Sequence, residues 1–284
     1  IFTPAWALKK VQVLKFGGKS LANGEGIEKV CEIIAKKKSE QQPIAVVVSA
    51  RDNATDQLEC LLDLAAQGQD YLSALEFFKA QQTTPLREPI LATYFEQLSQ
   101  ILVGVALTKD YSLKIKDQVL AFGEIISAKT LVYLLEKKGV NAQLLDSRTL
   151  IRTNNQFGNA QVQEVISKQQ VRVAYDSLPK DVVPVFTGFI GGTALGETTT
   201  LGRNGSNYSA ALLANFLEAG ELQNYTHVDG IYTANPSLVP EAQKIAALSY
   251  SEANELANFG ATILHAKTII PLIEKNIPLR ILNT

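Results

Sequence analysis

Apolar residues fall along the chain in two alternating rhythms. Near its start, Val11-Gln-Val-Leu-Lys-Phe16 is a short apolar run that ends at Gly17-Gly18, the length and punctuation of a strand. Over Glu25 to Lys38 the period changes, and Ile27, Val30, Ile33 and Ile34 return at helical spacing on one face. Pro43-Ile-Ala-Val-Val-Val-Ser49 is then almost continuously apolar, as a strand covered on both faces of a parallel sheet must be. Ala54 to Ala66 is amphipathic again. Strand, glycine loop, helix, strand and helix in succession predict a domain built from βα units.

The same reading continues to the end. Tyr71 to Asp110 is helical in pattern, interrupted at Thr84-Pro85 and Pro89. A long helix is predicted over Asp117 to Lys138, closed by Gly139 as a left-handed C-cap. Further strands are expected at Asn141–Leu145, Asp181–Phe186, Leu222–Val228 and Ile277–Leu282. Helices are expected over Ser206–Glu218, Ser249–Phe259 and His265–Lys275, and a glycine-dense loop over Gly188–Gly205. The fold class this predicts is α/β, a three-layer α/β/α sandwich around a mostly parallel central sheet, with residues 1–284 forming a single domain.

Composition narrows the function. With 46% apolar and 19% charged residues the chain can bury a large core. A net charge of −1 gives no general case for nucleic-acid or anionic-membrane partners. No uncharged apolar run reaches the roughly 18 residues of a membrane span, and no signal-peptide pattern precedes the first strand. Cys31 and Cys60 are isolated, without a Cys-x-x-Cys spacing, which suits a reducing, cytoplasmic setting. His227 and His265 have no cysteine near them, so no metal site of the chain's own is expected.

Lys15-Phe-Gly-Gly-Lys-Ser20 is the first candidate for chemistry. Glycines after a strand let backbone N–H groups approach phosphate oxygens, and a lysine beside them offsets charge during phosphoryl transfer. Gly17-Gly18 also reads as a plain chain turn. A P-loop is excluded, because the glycine it needs five residues before Gly18 is Val13.

Lys-Phe-Gly-Gly at the first strand, Val-Val-Val-Ser49-Ala50 with Thr55, Gly123-Glu124, Arg152-Thr-Asn with Phe157-Gly158, and Thr187-Gly-Phe-Ile190 follow in order. Thr198-Thr-Thr-Leu-Gly-Arg-Asn-Gly-Ser206, Val228-Asp-Gly-Ile-Tyr-Thr233, Phe259-Gly-Ala and Leu264-His265 continue the series. This ordered set resembles the aspartokinases of the amino-acid kinase family, most nearly the kinase domains fused to homoserine dehydrogenase. The resemblance implies an ATP-dependent kinase acting on the β-carboxylate of L-aspartate, with Mg²⁺ carried by the nucleotide and a homo-oligomer as the full-length state. It implies an amino-acid site within about residues 1–200 and a nucleotide site within about 201–284. Family members continue into ACT regulatory domains where this chain stops, so an N-terminal piece of a longer protein is expected.

Roles follow residue by residue from the resemblance. Lys15 is expected as the catalytic cation between the nucleotide phosphates and the attacking carboxylate. Gly17, Gly18, Gly191 and Gly192 are expected along the phosphate path, and Thr226 and Tyr232 at the nucleotide. Arg203 would pair with the aspartate α-carboxylate, which suits a planar guanidinium. Glu124 would hold the ammonium group, with Ser49, Thr55, Phe189 and Ser206 shaping the pocket. Taken alone, Arg203 also reads as a surface residue, Glu124 as a first-turn helix acid, Ser49 and Thr55 as helix caps, and Phe189 and Tyr232 as core aromatics.

The chain departs from the family pattern mainly on the nucleotide side. Thr226-His227 stands for Thr-Asp, Asn235-Pro236-Ser237 for Asp-Pro followed by a base, and Thr262 for a lysine. Asn207 stands for the acid after Gly-Ser, and Lys19 for a threonine. Three readings stay open: a working aspartate kinase, an impaired aspartokinase-like binding or regulatory domain with a degraded nucleotide site, and a kinase of another small acid such as glutamate or carbamate.

Overall fold

The protein was analysed as a computed structural model, which describes residues 9–228, 230–234, 238–239, 241–258 and 266–284. The motif residues Asp229, Asn235-Pro236-Ser237, Phe259-Gly-Ala, Thr262 and Leu264-His265 lie outside the described residues.

The chain runs β1 (Gln12–Phe16), α1 (Asn23–Ser39), β2 (Ile44–Val48), α2 (Ala54–Ala66), α3 (Tyr71–Thr83), α4 (Ala92–Thr108) and α5 (Leu113–Lys137). It continues through β3 (Ala142–Leu145), α6 (Ser147–Leu150), α7 (Glu164–Asp176), β4 (Val183–Thr187), β5 (Ile190–Gly192), β6 (Thr198–Thr200) and α8 (Gly205–Phe216). The last elements are β7 (Glu221–Thr226), β8 (Ile231–Tyr232), β9 (Lys244–Ile245), α9 (Tyr250–Asn258), α10 (Ala266–Ile273) and β10 (Leu279–Asn283).

Six strands form one sheet in the order β10-β7-β1-β2-β4-β3, and every pairing in it is parallel. Two short antiparallel hairpins, β5-β6 and β8-β9, stand apart from it. The sheet is continuous across residue 200, because β7 from the second part of the chain pairs directly with β1.

Strand pleating assigns alternate side chains to opposite faces. Leu14, Phe16, Val46 and Val48 pack on one face with Ile27, Val30 and Ile34 of α1 and Leu131 and Leu135 of α5. Val13, Val47 and Leu222 pack on the other with Ala210 and Leu213 of α8 and Leu272 of α10. That is the expected three-layer sandwich. A third cluster joins α2, α3 and α4 to the first half of α5 through Leu58, Leu62, Phe78, Leu98 and Val119.

α5 therefore meets the helical cluster with its first half and the sheet with its second. This explains why it is apolar nearly all round. By length and composition it could cross a membrane, yet 83% of its most apolar window is buried in the fold, as a core helix requires. The helix starts four residues before the expected Asp117, because Ser112 is the N-cap, its hydroxyl accepting from Ile115 N at 3.3 Å. Its C-terminal end is as expected: Gly139 takes φ +76° and continues the turn beyond Lys137.

Candidate active site

Polar residues gather where the parallel strands end. β1 delivers Lys15 and Gly17, β2 delivers Ser49, β4 leads into Gly188 and Phe189, and β7 ends at Thr226. Open α/β sheets bind ligands in this crevice beyond the carboxyl ends of the strands. A cavity of about 540 Å³ opens there, and Lys15, Gly18, Ser49, Thr55, Glu124, Phe189, Arg203 and Ser206 all line it. Eight of the residues singled out from sequence thus share one cleft.

Close backbone packing shapes this cleft. A Cβ on Gly18 would lie 2.7 Å from Ala50 O and 2.8 Å from Asp52 O, so only glycine lets the first loop lie on the second. Asp52 N donates to Gly18 O at 2.9 Å across the same contact. A Cβ on Gly123 would meet Ala50 Cβ at 2.7 Å. With a glycine there, α5 comes close enough for Ala50 N to donate to Glu124 Oε1 at 3.0 Å.

Glu124 sits in the middle of α5, not in a first turn as one sequence reading had it, so the helix dipole has no part in holding it. Its side chain is buried, and Oε2 has no hydrogen-bond partner among the described residues. Burial pushes its carboxyl up to about 8, while the Ala50 amide, its own backbone amide, the Lys15 ammonium and the nearby Ser206 hydroxyl pull the other way. Lys15 is buried too, and burial brings its ammonium down to about 8 against the opposing pull of Glu124. Burial thus works against the charged form of each group, and each favours the charged form of the other. A ligand offering both an ammonium and an anion would satisfy the pair.

Arg203 is exposed at the cavity wall, with Gly202 (φ +75°) before it and Asn204 (φ +59°) after it. Gly205 N donates to Gly202 O at 3.0 Å, closing the turn that presents the guanidinium at the start of α8. Phe189 is half-buried with φ +67°. Its N donates to Ser209 Oγ at 2.9 Å and its O accepts from Leu201 N at 2.8 Å. Those two bonds over-determine a backbone conformation that phenylalanine rarely takes. Asn53, not Ser49 or Thr55, is the N-cap of α2, so neither is spent on capping that helix and both line the cleft.

Other expected residues lie elsewhere. Gly191 and Gly192 are buried in β5 and do not line the cavity. A Cβ on Gly191 would lie 2.8 Å from Ile151 O, and one on Gly192 only 2.1 Å from Arg148 O. Their smallness is used in packing β5 against α6 and the segment after it. Gly17 is next to the cleft, but its N–H already donates to Tyr225 O at 3.2 Å. Thr226 ends β7 and its hydroxyl bonds the His227 ring at 3.2 Å. Tyr232 lies in β8 opposite Lys244, outside the cavity wall.

Sequence reasoning missed one cavity residue with a dense set of contacts. Asp117, nearly fully buried on α5, accepts from Gly158 N at 2.8 Å and Thr200 N at 2.9 Å through Oδ2, and from Thr200 Oγ1 at 2.8 Å through Oδ1.

The fold and this cleft agree with what comparison with known proteins returns. The amino acid kinase family signature matches residues 10–283, and the chain belongs to that family. Within the family it is similar to aspartokinases. It is 32% identical to aspartokinase 1 of Arabidopsis thaliana over 96% of this chain and 50% of that one. It is 32% identical to the lysine-sensitive aspartokinase 3 of Escherichia coli over 95% of this chain and 61% of that one. The crystal structure of E. coli aspartokinase III in complex with aspartate and ADP superposes with a TM-score of 0.86 at 31% identity, over 96% of this chain and 62% of that one. The chain thus spans about half to three-fifths of these relatives. Archaeoglobus fulgidus uridylate kinase, at 17% identity and a TM-score of 0.55, shares the fold alone.

Proposed function

We propose that this domain is an aspartate kinase, transferring the γ-phosphoryl group of ATP to the β-carboxylate of L-aspartate. The observation that carries the reading is the meeting of Lys15, Glu124 and Arg203 around one cleft at the strand ends. Glu124 takes the substrate ammonium on its unpartnered oxygen, and Arg203 takes the α-carboxylate. Ser49, Thr55, Phe189 and Ser206 then shape the space between. A β-carboxylate oxygen forms the new bond to the γ-phosphorus, the bond from that phosphorus to the bridging oxygen breaks, and ADP leaves with the electron pair. Lys15 offsets the charge that spreads over the transferring oxygens. The nucleotide brings Mg²⁺ with it as part of the substrate, and its expected contacts are Gly18 after β1 together with Thr226 and Tyr232 in the later part of the chain. The aspartate and ADP bound in the E. coli relative support the same pair of ligands here.

The test is aspartate-dependent ADP release from Mg-ATP. Lys15→Ala should lower it by about two orders of magnitude or more, since removing one preorganised charge at developing negative charge costs on that scale. Activity unchanged in Lys15→Ala would end the reading.

Two substitutions favour a second reading, an aspartate-binding domain with poor turnover. Asn207 lines the cleft where the resemblance leads one to expect an acid, and His227 follows Thr226 where another is expected. Calorimetry separates the two: aspartate binding without Mg-ATP binding favours the second, and binding of both favours the kinase.

A further inference from the structure

The geometry points to Asp117 as a positioning residue that sets the Arg203 turn against Glu124, an assignment that rests on the aspartate reading of this cleft. Asp117 and Glu124 are seven residues apart on α5, close to two full turns, so they share one face. Both line the cavity. One rigid helix therefore carries the group that meets the ammonium and the group that fixes the loops opposite.

Two backbone bonds also tie these loops here, Ala160 N to Thr200 O and Leu201 N to Phe189 O, each at 2.8 Å, but among the described residues only the Asp117 side chain joins both loops to α5. Thr200 ends β6, three residues before Arg203, and both its N–H and its hydroxyl are donated to the Asp117 carboxylate. Gly158 N, from the loop that covers the other side of the turn, is donated to the same oxygen as Thr200 N. Asn159, next in that loop, closes on Gly202: a Cβ there would lie 2.5 Å from Asn159 Oδ1. Gly202 and Asn204 both use left-handed backbone, so the turn owes its shape to what surrounds it. A carboxylate suits this task because two oxygens can accept three bonds in a near-planar fork. Asp117 touches no reacting atom in this scheme. It acts through Arg203, whose guanidinium makes no hydrogen bond or ion pair among the described residues.

The experiment is a double-mutant cycle read by aspartate affinity in calorimetry. Asp117→Ala should weaken aspartate binding about tenfold, as expected for coupled neighbours in one network. In an Arg203→Ala background the same change should cost less than about twofold, because the turn no longer has a guanidinium to aim. Asp117→Asn should restore affinity, since its carbonyl can accept both backbone N–H groups while its amide meets the Thr200 hydroxyl. Thr200→Val, which loses only the hydroxyl bond, goes through the same cycle in case Asp117→Ala does not fold, with a smaller weakening that again vanishes without Arg203. Equal weakening in both backgrounds, or unchanged affinity, would overturn the assignment. If the unmutated protein binds no aspartate, the substrate reading falls by itself. Backbone amide exchange over 200–205 then decides the role of Asp117: faster in Asp117→Ala and slow again in Asp117→Asn if it positions the turn, unaltered if it does not.

Discussion

Glu124 Oε1 accepts the Ala50 amide at 3.0 Å while Oε2, also buried, accepts no hydrogen bond among the described residues. Half of this carboxylate is spent on structure and half is left for a ligand. Glu124→Gln keeps the acceptor for Ala50 and removes the charge. The fold should survive, and aspartate binding should weaken by about 1.5–3 kcal/mol, the worth of a charge-assisted bond. Calorimetry against thermal denaturation separates the two effects. Undiminished aspartate affinity would remove Glu124 from the site.

Because burial raises the Glu124 carboxyl to about 8 and lowers the Lys15 ammonium to about 8, the two groups bend stability with pH in opposite senses. Between the ordinary carboxyl value of 4.5 and about 8, the folded state keeps a proton on Glu124 that the unfolded chain has lost, so stability falls as pH rises. Between about 8 and 10.5 the unfolded chain keeps a proton on Lys15 that the folded state has shed, so stability climbs again. The ligand-free protein should show a contribution with its minimum near pH 8, and its falling limb from Glu124 is read as the difference between wild type and Glu124→Gln in denaturant titrations. A flat difference from pH 5 to 8 would contradict the buried-carboxyl account.

The same pair predicts proton release on binding. Below about pH 8 the ligand-free Glu124 is mostly protonated, and an ammonium placed against Oε2 favours its ionised form. Aspartate binding at pH 7 should release up to about one proton, seen as a dependence of binding enthalpy on buffer ionisation enthalpy. Glu124→Gln should abolish that dependence.

Gly192→Ala distinguishes packing from phosphate contact. The added Cβ would lie 2.1 Å from Arg148 O, a backbone atom that cannot step aside cheaply. Overpacking of this kind costs about 1–3 kcal/mol, so the midpoint of urea denaturation should drop. Nucleotide affinity of the folded fraction should hold. Loss of nucleotide affinity at full stability would return Gly192 to the phosphate path.

The six strands of the parallel sheet were legible, most plainly where a doubly covered strand has no polar alternation to confuse it, as in Ile44–Val48, buried at every position. The short hairpins β5-β6 and β8-β9 were not, and β5-β6 lies in the stretch expected as a glycine-dense loop. α7 was not, because its apolar residues are out of phase with its buried face. Val165, Ile166 and Val173 are exposed, while Ser167 and Val171 are buried. The cleft was legible wherever a motif residue itself reaches the cavity, as Lys15, Glu124 and Arg203 do. Glycines mislead, since a sequence does not say whether a missing Cβ makes room for a ligand or for Arg148 O. Asp117 was hidden for a different reason. An acid at the start of a helical pattern reads as a capping residue, and only the position of Ser112 reveals that Asp117 is already inside the helix.

Arg51 supplies the last test. It is almost fully buried with no carboxylate partner among the described residues, and its guanidinium donates to four carbonyls: Leu21 O at 3.2 Å, Asn23 O at 3.4 Å, Gln82 O at 3.0 Å and Thr84 O at 2.7 Å. Burial lowers its tendency to hold a proton, so desolvation works against these bonds. If the bonds win, Arg51→Ala strands several buried acceptors and should cost about 3 kcal/mol or more. Arg51→Lys, with a point charge in place of a fork, should recover only part of that. Aspartate affinity should fall alongside stability, because Arg51 adjoins the Ala50 amide that orients Glu124. A stability from urea titration within about 0.5 kcal/mol of wild type would mean that desolvation cancels the four bonds, and that the loop carrying Ser49 and Ala50 is held by its backbone bonds to Phe16, Gly18 and Glu124.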